Sequence, residues 1–178
     1  MPHGRAVSFL DGQYAVTGTG LAALLRYAGG DPEATGQQQM AATHRVLQEC
    51  LDSQDWPRFQ EAAVYGKASA SDVAGVIYQL VEIHTARPWR AGMRLLGYAA
   101  GHLAELDGTL LAETGRGLAD LTPRQLCNLV FARLIAGKDE EQRAEFIEDL
   151  YLDFDPEAEA REKVLQMIAS REAANGSS

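Results

Sequence analysis

The chain has 178 residues, 46% of them hydrophobic, a formal net charge of −9, and Cys50 and Cys127 as its two cysteines. That is enough apolar content for a packed core, but no apolar run approaches the roughly 20 residues needed to cross a bilayer, and Met1-Pro2-His3-Gly4-Arg5 lacks the apolar stretch of a secretory signal. The charge excludes a phosphate-backbone partner: residues 139–162 hold eleven acids against Arg143 and Arg161, which accounts for the whole −9, and no basic stripe elsewhere compensates.

In chain order, Val7-Ser8-Phe9-Leu10 and Gln13-Tyr14-Ala15-Val16 flank Asp11-Gly12, a dipeptide suited to the positive φ angles of a tight hairpin turn. From there the pattern is helical, so the expected fold class is mainly α: a multi-helix bundle with a short N-terminal β-hairpin. Leu21 to Ala28 predicts the first helix, and Met40, Leu47, Cys50 and Leu51 mark a second. The clearest amphipathic helix runs from about Ser71 to His84, with Val73, Val76, Ile77, Leu80, Val81 and His84 on one face. Pro88 ends it by pushing Arg87 out of the helical region, and Trp89, Met93, Leu96, Ala100 and Leu103 form the next stripe. Because no flexible linker intervenes, the halves are expected to pack around a substantially buried Trp89. Leu126, Leu129, Val130 and Leu134, then Phe146, Ile147 and Leu150, then Val164, Leu165 and Ile168 mark three further helices. Asp31-Pro32, Asp55 before Trp56-Pro57, Thr122-Pro123 and Asp155-Pro156 each set a capping side chain beside a proline suited to a first helical turn, and Thr122 with Gln125 fits a capping box. The organisation expected is a helical region with the hairpin over 1–88, a helical extension packed on it over 89–172, and a disordered tail over 173–178.

Several patterns invite a chemical reading and have a plainer one. Gly18-Thr19-Gly20-Leu21 lies between a strand and a helix, as in a dinucleotide-binding turn. After that helix come Gly29-Gly30-Asp31-Pro32 and a Gln-rich helix rather than a second parallel strand, so two glycines turning a hairpin into a helix is the better account. Asp149 to Pro156 alternates carboxylates but lacks the glycine and closing glutamate of a calcium loop. His3, His44, His84 and His102 show no metal-binding spacing, and His84 on an apolar face reads as a boundary residue. Cys127 and His102 have the chemistry of nucleophile and base, with nothing in the spacing to bring them together; both cysteines read as buried, reduced thiols. Gly97-Tyr98-Ala99-Ala100-Gly101 permits close helix approach, either in the core or between two copies, and the acidic run reads as a solvated helical face. No catalytic, cofactor-binding or metal-ligating residue is assigned, and the chain is expected not to be an enzyme.

Two sets of segments resemble one protein family. The first is Phe9-Leu10-Asp11-Gly12-Gln13-Tyr14, the helix Leu21 to Ala28, Leu51-Asp52-Ser53-Gln54-Asp55-Trp56-Pro57-Arg58-Phe59 and Thr85-Ala86-Arg87-Pro88. The second is Arg87 to Leu96, Gly108-Thr109-Leu110-Leu111 followed by Gly115, and Asp139-Glu140-Glu141-Gln142-Arg143 before Phe146. In this order they resemble the tail assembly chaperones of actinobacterial siphophages. Residues 7–88 are similar to the N-terminal portion and 89 to about 155 to the extension appended by ribosomal frameshifting. Unshifted products of that family often continue past the Arg-Pro pair into a Ser/Thr/Pro-rich tail; here the chain passes directly to Trp89, as the extended product does.

The resemblance implies a non-enzymatic bacteriophage chaperone that binds the tape measure protein, keeps it soluble and promotes tail tube assembly around it. It further implies contact between the extension and the tail tube protein, self-association, action in the host cytoplasm and absence from the mature virion. Such a protein needs grooves or apolar stripes that receive amphipathic helices. The candidate client-facing residues are Leu21, Leu24, Leu25 and Tyr27; Val73, Val76, Ile77 and Leu80; and Leu126, Leu129 and Val130, with core packing the competing use of each. The alternative is an acidic phage regulatory or anti-defence protein acting by protein binding or nucleic-acid mimicry, which requires carboxylates spaced like phosphates over a long face.

Overall fold

The structure is a computed structural model that describes residues 5–17, 20–30 and 35–151. An antiparallel hairpin of β1 (Ala6–Phe9) and β2 (Gly12–Ala15) is followed by α1 (Leu21–Ala28), α2 (Gly36–Cys50), α3 (Trp56–Tyr65), α4 (Ala70–Thr85), α5 (Trp89–Gly101), α6 (Leu103–Thr114), α7 (Pro123–Ile135) and α8 (Glu140–Tyr151). The protein is thus mainly helical with a two-stranded N-terminal hairpin, as the hydrophobic periodicity predicts. The stripe at Val164 to Ile168, the Asp155-Pro156 cap and the 173–178 tail lie outside the described residues.

The hairpin differs from expectation at its turn. Phe9 pairs with Gly12, leaving Leu10-Asp11 as the loop, and the positive φ falls on Leu10 (48°) rather than on Asp11-Gly12. Gly12 serves a packing purpose instead: a Cβ there would lie 2.6 Å from Tyr14 Oη. Leu10 reaches Gly66 beyond α3, where an added Cβ would come within 2.4 Å of its Cδ1, and that contact helps offset the cost of a leucine in the left-handed region. The outer edge of β1 is satisfied by Gln79 of α4, which accepts from Ser8 N at 2.8 Å and donates to Ser8 O at 2.9 Å. A side-chain amide thereby stands where another strand would pair.

Helix starts follow capping chemistry, at positions that the proline signals mark only in part. Thr122 and Gln125 form the expected capping box on α7, and the same reciprocal arrangement joins Thr35 to Gln38 on α2 and Ser69 to Asp72 on α4. Asp31-Pro32 lies outside the described residues. Asp55 does not cap α3; its Oδ2 accepts from Ala15 N at 2.6 Å, so the carboxylate ties α3 to the hairpin. The expected stripe from Trp89 extends through Leu103, but α5 stops at Gly101. His102 separates it from α6, a helix whose narrow stripe of Leu106 and Leu110 gives little periodic signal.

The core continues across the Arg87-Pro88 junction, with α5 packed against α1, α4 and α7. The buried face of α5 is Ala91, Gly92, Leu95, Leu96 and Ala99, which shares only Leu96 with the expected stripe. Small residues explain the rotation, because a helix surrounded by three others must let their backbones come close. A Cβ on Gly92 would sit 2.6 Å from Val81 Cγ1, and one on Gly29 would sit 2.5 Å from Ala100 Cβ. Ala100 and Gly97 therefore pack α5 against α1 inside the chain. Trp89 is only half-buried, stacked on Tyr78 at 3.9 Å between ring centroids, so the halves meet around Leu95 and Leu96 rather than around the tryptophan. Arginines secure α8: Arg94 pairs with Asp149 at 2.6 Å, while Arg87 contacts Tyr151, donates to Asn128 Oδ1 at 3.1 Å and lies over the Phe131 ring.

Candidate functional site

A groove of about 770 Å³ opens between α2, α3 and the first turns of α4, with Tyr27 of α1 at one end. Its floor is Leu47 and Phe59, both buried, and its flanks carry Met40 and Val64, which are 75% and 71% exposed. Beside Val64, Tyr65 is 79% exposed. Trp56, Ala63, Ala68, Val73 and Ala74 complete an apolar surface edged by Gln39, Thr43, Gln60 and Ser69. His44 is its one ionisable residue besides Tyr27, and no Asp, Glu, Lys or Arg among the described residues lines it. Large apolar side chains left in water beside a ready cavity are the mark of an interaction surface rather than of a finished core.

Local packing explains why the groove stays open. α3 is held at the hairpin side by an aromatic cluster in which Phe59 meets Phe9 at 4.4 Å and Tyr14 at 5.3 Å, while its start is tied to α2 where Trp56 meets His44 edge-on at 4.9 Å. Those contacts hold α3 against the hairpin and the middle of α2, and further along α3 the half-buried Ala63 and the exposed Val64 line the groove together with Met40. The Tyr27 hydroxyl is pushed above its ordinary pKa by burial, against an opposing hydrogen bond with Thr43, and remains neutral at physiological pH.

Of the residues expected to face a client, Leu24, Val76, Ile77, Leu80, Leu126 and Val130 are buried in the core. These six serve the competing use, core packing: each lies on the stripe that seals α1, α4 or α7 against α5 and its neighbours. Leu21, Leu25, Tyr27, Val73 and Leu129 are half-buried, and among them Tyr27 and Val73 line the groove. Met40, one of the residues that mark α2 in the sequence, is exposed. Trp56, Phe59, Ala63 and Val64 are not among the expected site residues. Their spacing of i, i+3, i+7 and i+8 on α3 is the available signal, but so short a helix gives little contrast between its faces.

The sites weighed for chemistry are taken up by structure. A Cβ on Gly20 would lie 2.4 Å from Cys50 Sγ and 3.4 Å from His84 Nε2, so this glycine permits close packing at the start of α1; Gly18 and Thr19 lie outside the described residues. Burial pushes the Cys50 thiol up to about 12, with Glu49 adding to it, and the Cys127 thiol up to about 11 against the opposing charge of Arg87. Neither is poised as a thiolate. His102 is exposed and bonded to Tyr98 O at 2.8 Å, whereas Cys127 is fully buried in α7. Asp149 is engaged by Arg94, and the rest of the alternating carboxylates lie outside the described residues. Among the described residues no cluster of three His, Cys, Asp or Glu side chains is arranged to hold a metal, and no helix is long and apolar enough to cross a membrane.

Comparison with protein-family models, with curated proteins and with solved structures finds no match.

Proposed function

We propose that this protein is a tail assembly chaperone of a siphovirus-like bacteriophage, and that the groove between α2, α3 and α4 receives amphipathic helices of the tape measure protein. The observation that carries this reading is the groove itself: an open, uncharged apolar channel flanked by exposed Met40 and Val64. An α-helix presents an apolar stripe with polar flanks, and the groove offers the complement, an apolar floor with amides and hydroxyls along its edge. A flexible methionine at the rim suits a surface that must accept many related segments of one long helical client. The ordered resemblance of the two halves to the frameshift-extended family products supplies the identity of that client.

On this reading several copies coat one tape measure chain in the host cytoplasm, the second half recruits the tail tube protein, and the chaperone is absent from the finished virion. Co-expression with the tape measure protein of the same phage tests it. The expected result is a soluble, copurifying complex that is lost when Met40→Glu and Val64→Glu are introduced together into a chain that still folds. A tape measure protein equally insoluble with and without this chain would defeat the assignment.

The alternative, an acidic regulatory protein that mimics nucleic acid, has the exposed carboxylates Glu140, Glu141, Glu145 and Glu148 of α8 in its favour. The described part of that helix is Glu140–Tyr151, and the acids of the run beyond it lie outside the described residues. Asp149 is already committed to Arg94.

A further inference from the structure

We propose that the C-terminal segment of this chain, through Val164, Leu165 and Ile168, occupies the groove of its own chain when no client is bound. The groove is that of the proposed function, but its occupancy in the free chain does not depend on what the client is. The first support is the exposed apolar surface around Met40 and Val64, which a chain free in water gains by covering. The second is reach. The described chain ends at Tyr151, whose hydroxyl meets Arg87 just beyond the end of α4, while Val73 at the other end of α4 lines the groove. The distance along the helix between these points is about 21 Å. Residues 152–163 can span up to about 40 Å when extended, which leaves a margin for the lengths of the Arg87 and Tyr151 side chains.

Pattern and charge add a third support. Val164, Leu165 and Ile168 stand at i, i+1 and i+4, with Arg161, Glu162, Lys163 and Arg171 around them, a one-sided apolar pattern of the kind the groove complements. The intervening stretch carries Asp153, Asp155, Glu157, Glu159 and Glu162. No carboxylate among the described residues lines the groove to repel them, and Lys67, next to the lining residue Ala68, is exposed and makes no ion pair among the described residues. Tethering makes the contact intramolecular, with an effective concentration on the order of millimolar, so weak binding suffices to cover the groove. A client helix that binds better displaces the segment. The segment therefore acts as a threshold that weak, non-client helices fail to pass.

The test uses the full-length chain with Met40→Cys and Ile168→Cys, under mild oxidation at dilute protein; the native thiols are buried and protonated and stay silent. The expected product is an intramolecular disulfide, formed in several-fold higher yield than with Leu103→Cys and Ile168→Cys and lost when Leu165→Asp is added. Two outcomes overturn the proposal: a yield no higher than that control, or a disulfide formed only between two chains, which would make a second copy the occupant. Because no client is present, the result is separate from the fate of the chaperone assignment. If both hold, Leu165→Asp with Ile168→Asp should also tighten client binding several-fold.

Discussion

The two ends of α4 have different surroundings. Its C-terminal half is sealed by α5, with Val81 and Thr85 set so closely against Gly92 that a methyl group there would have no room. Its N-terminal half runs beside the open groove, and a Cβ added at Gly75 would meet nothing within 4 Å. Small residues occur at both ends, so smallness alone does not mark a helix contact. It marks one only where a partner is present, and at the groove end the described chain provides none.

The largest expected effect separates core from groove. Leu96 is fully buried at the junction of the two halves, so Leu96→Ala should lower unfolding free energy by about 2–5 kcal/mol. Met40 is as apolar but exposed among the described residues, and in a chain carrying Leu165→Asp and Ile168→Asp, whose C-terminal segment no longer covers the groove, Met40→Ala should stay within about 0.5 kcal/mol. Denaturant unfolding of the two variants measures both. A costly Met40→Ala in the isolated protein would mean that its side chain is covered, which is the condition the C-terminal segment would create.

Next in size is a pair of glycine substitutions with opposite signs. Gly92→Ala forces Val81 and Thr85 apart in a filled core and should destabilise by about 1–3 kcal/mol. Gly75→Ala adds a methyl group to an interior turn of α4 with free space around it, and should stabilise by about 0.5–1 kcal/mol by removing the entropic penalty of glycine in a helix. Equal signs in thermal or denaturant unfolding would remove the distinction drawn between the two ends.

The same contrast separates what is legible in the sequence from what is not. The α4 stripe is legible because successive turns place Val76, Leu80, Val81 and His84 on one face, and periodicity reports that a face is buried. It does not report what covers that face. Hence Leu24, Ile77 and Leu126, candidates for a client-facing surface with core packing as the competing use, are core, while Met40, one of the residues that mark α2, is exposed. The buried face of α5 is not legible because periodicity weights large residues, whereas Ala91, Gly92 and Ala99 are buried for being small. The groove residues of α3 give a weak signal for a related reason: Phe59 and Trp56 serve the hairpin cluster and the groove together, so the helix has no cleanly polar side at its start. The hairpin is legible, but the residue bearing its strained φ is not, since that depends on the distant contact of Leu10 with Gly66.

The smallest effect concerns the sealed end of α4. His84 lies buried in its last turn near Cys50, with Nε2 lacking a hydrogen-bond partner among the described residues, and Arg5 donates to the neighbouring Ile83 carbonyl at 3.2 Å. Burial, and secondarily the charge of Arg5, hold the imidazole below its ordinary pKa of 6.5. The end of a helix favours a cation, but here desolvation outweighs that attraction. The folded state therefore binds fewer protons than the unfolded chain once pH falls below about 6.5. Stability is full above that value and declines from there down to the folded pKa. Urea unfolding at about pH 7.5 and about pH 5.5 should show this decline, and His84→Leu, which keeps an apolar group in the same space, should reduce it. An identical decline in the variant would assign the proton uptake to other groups and leave His84 as a packing residue alone.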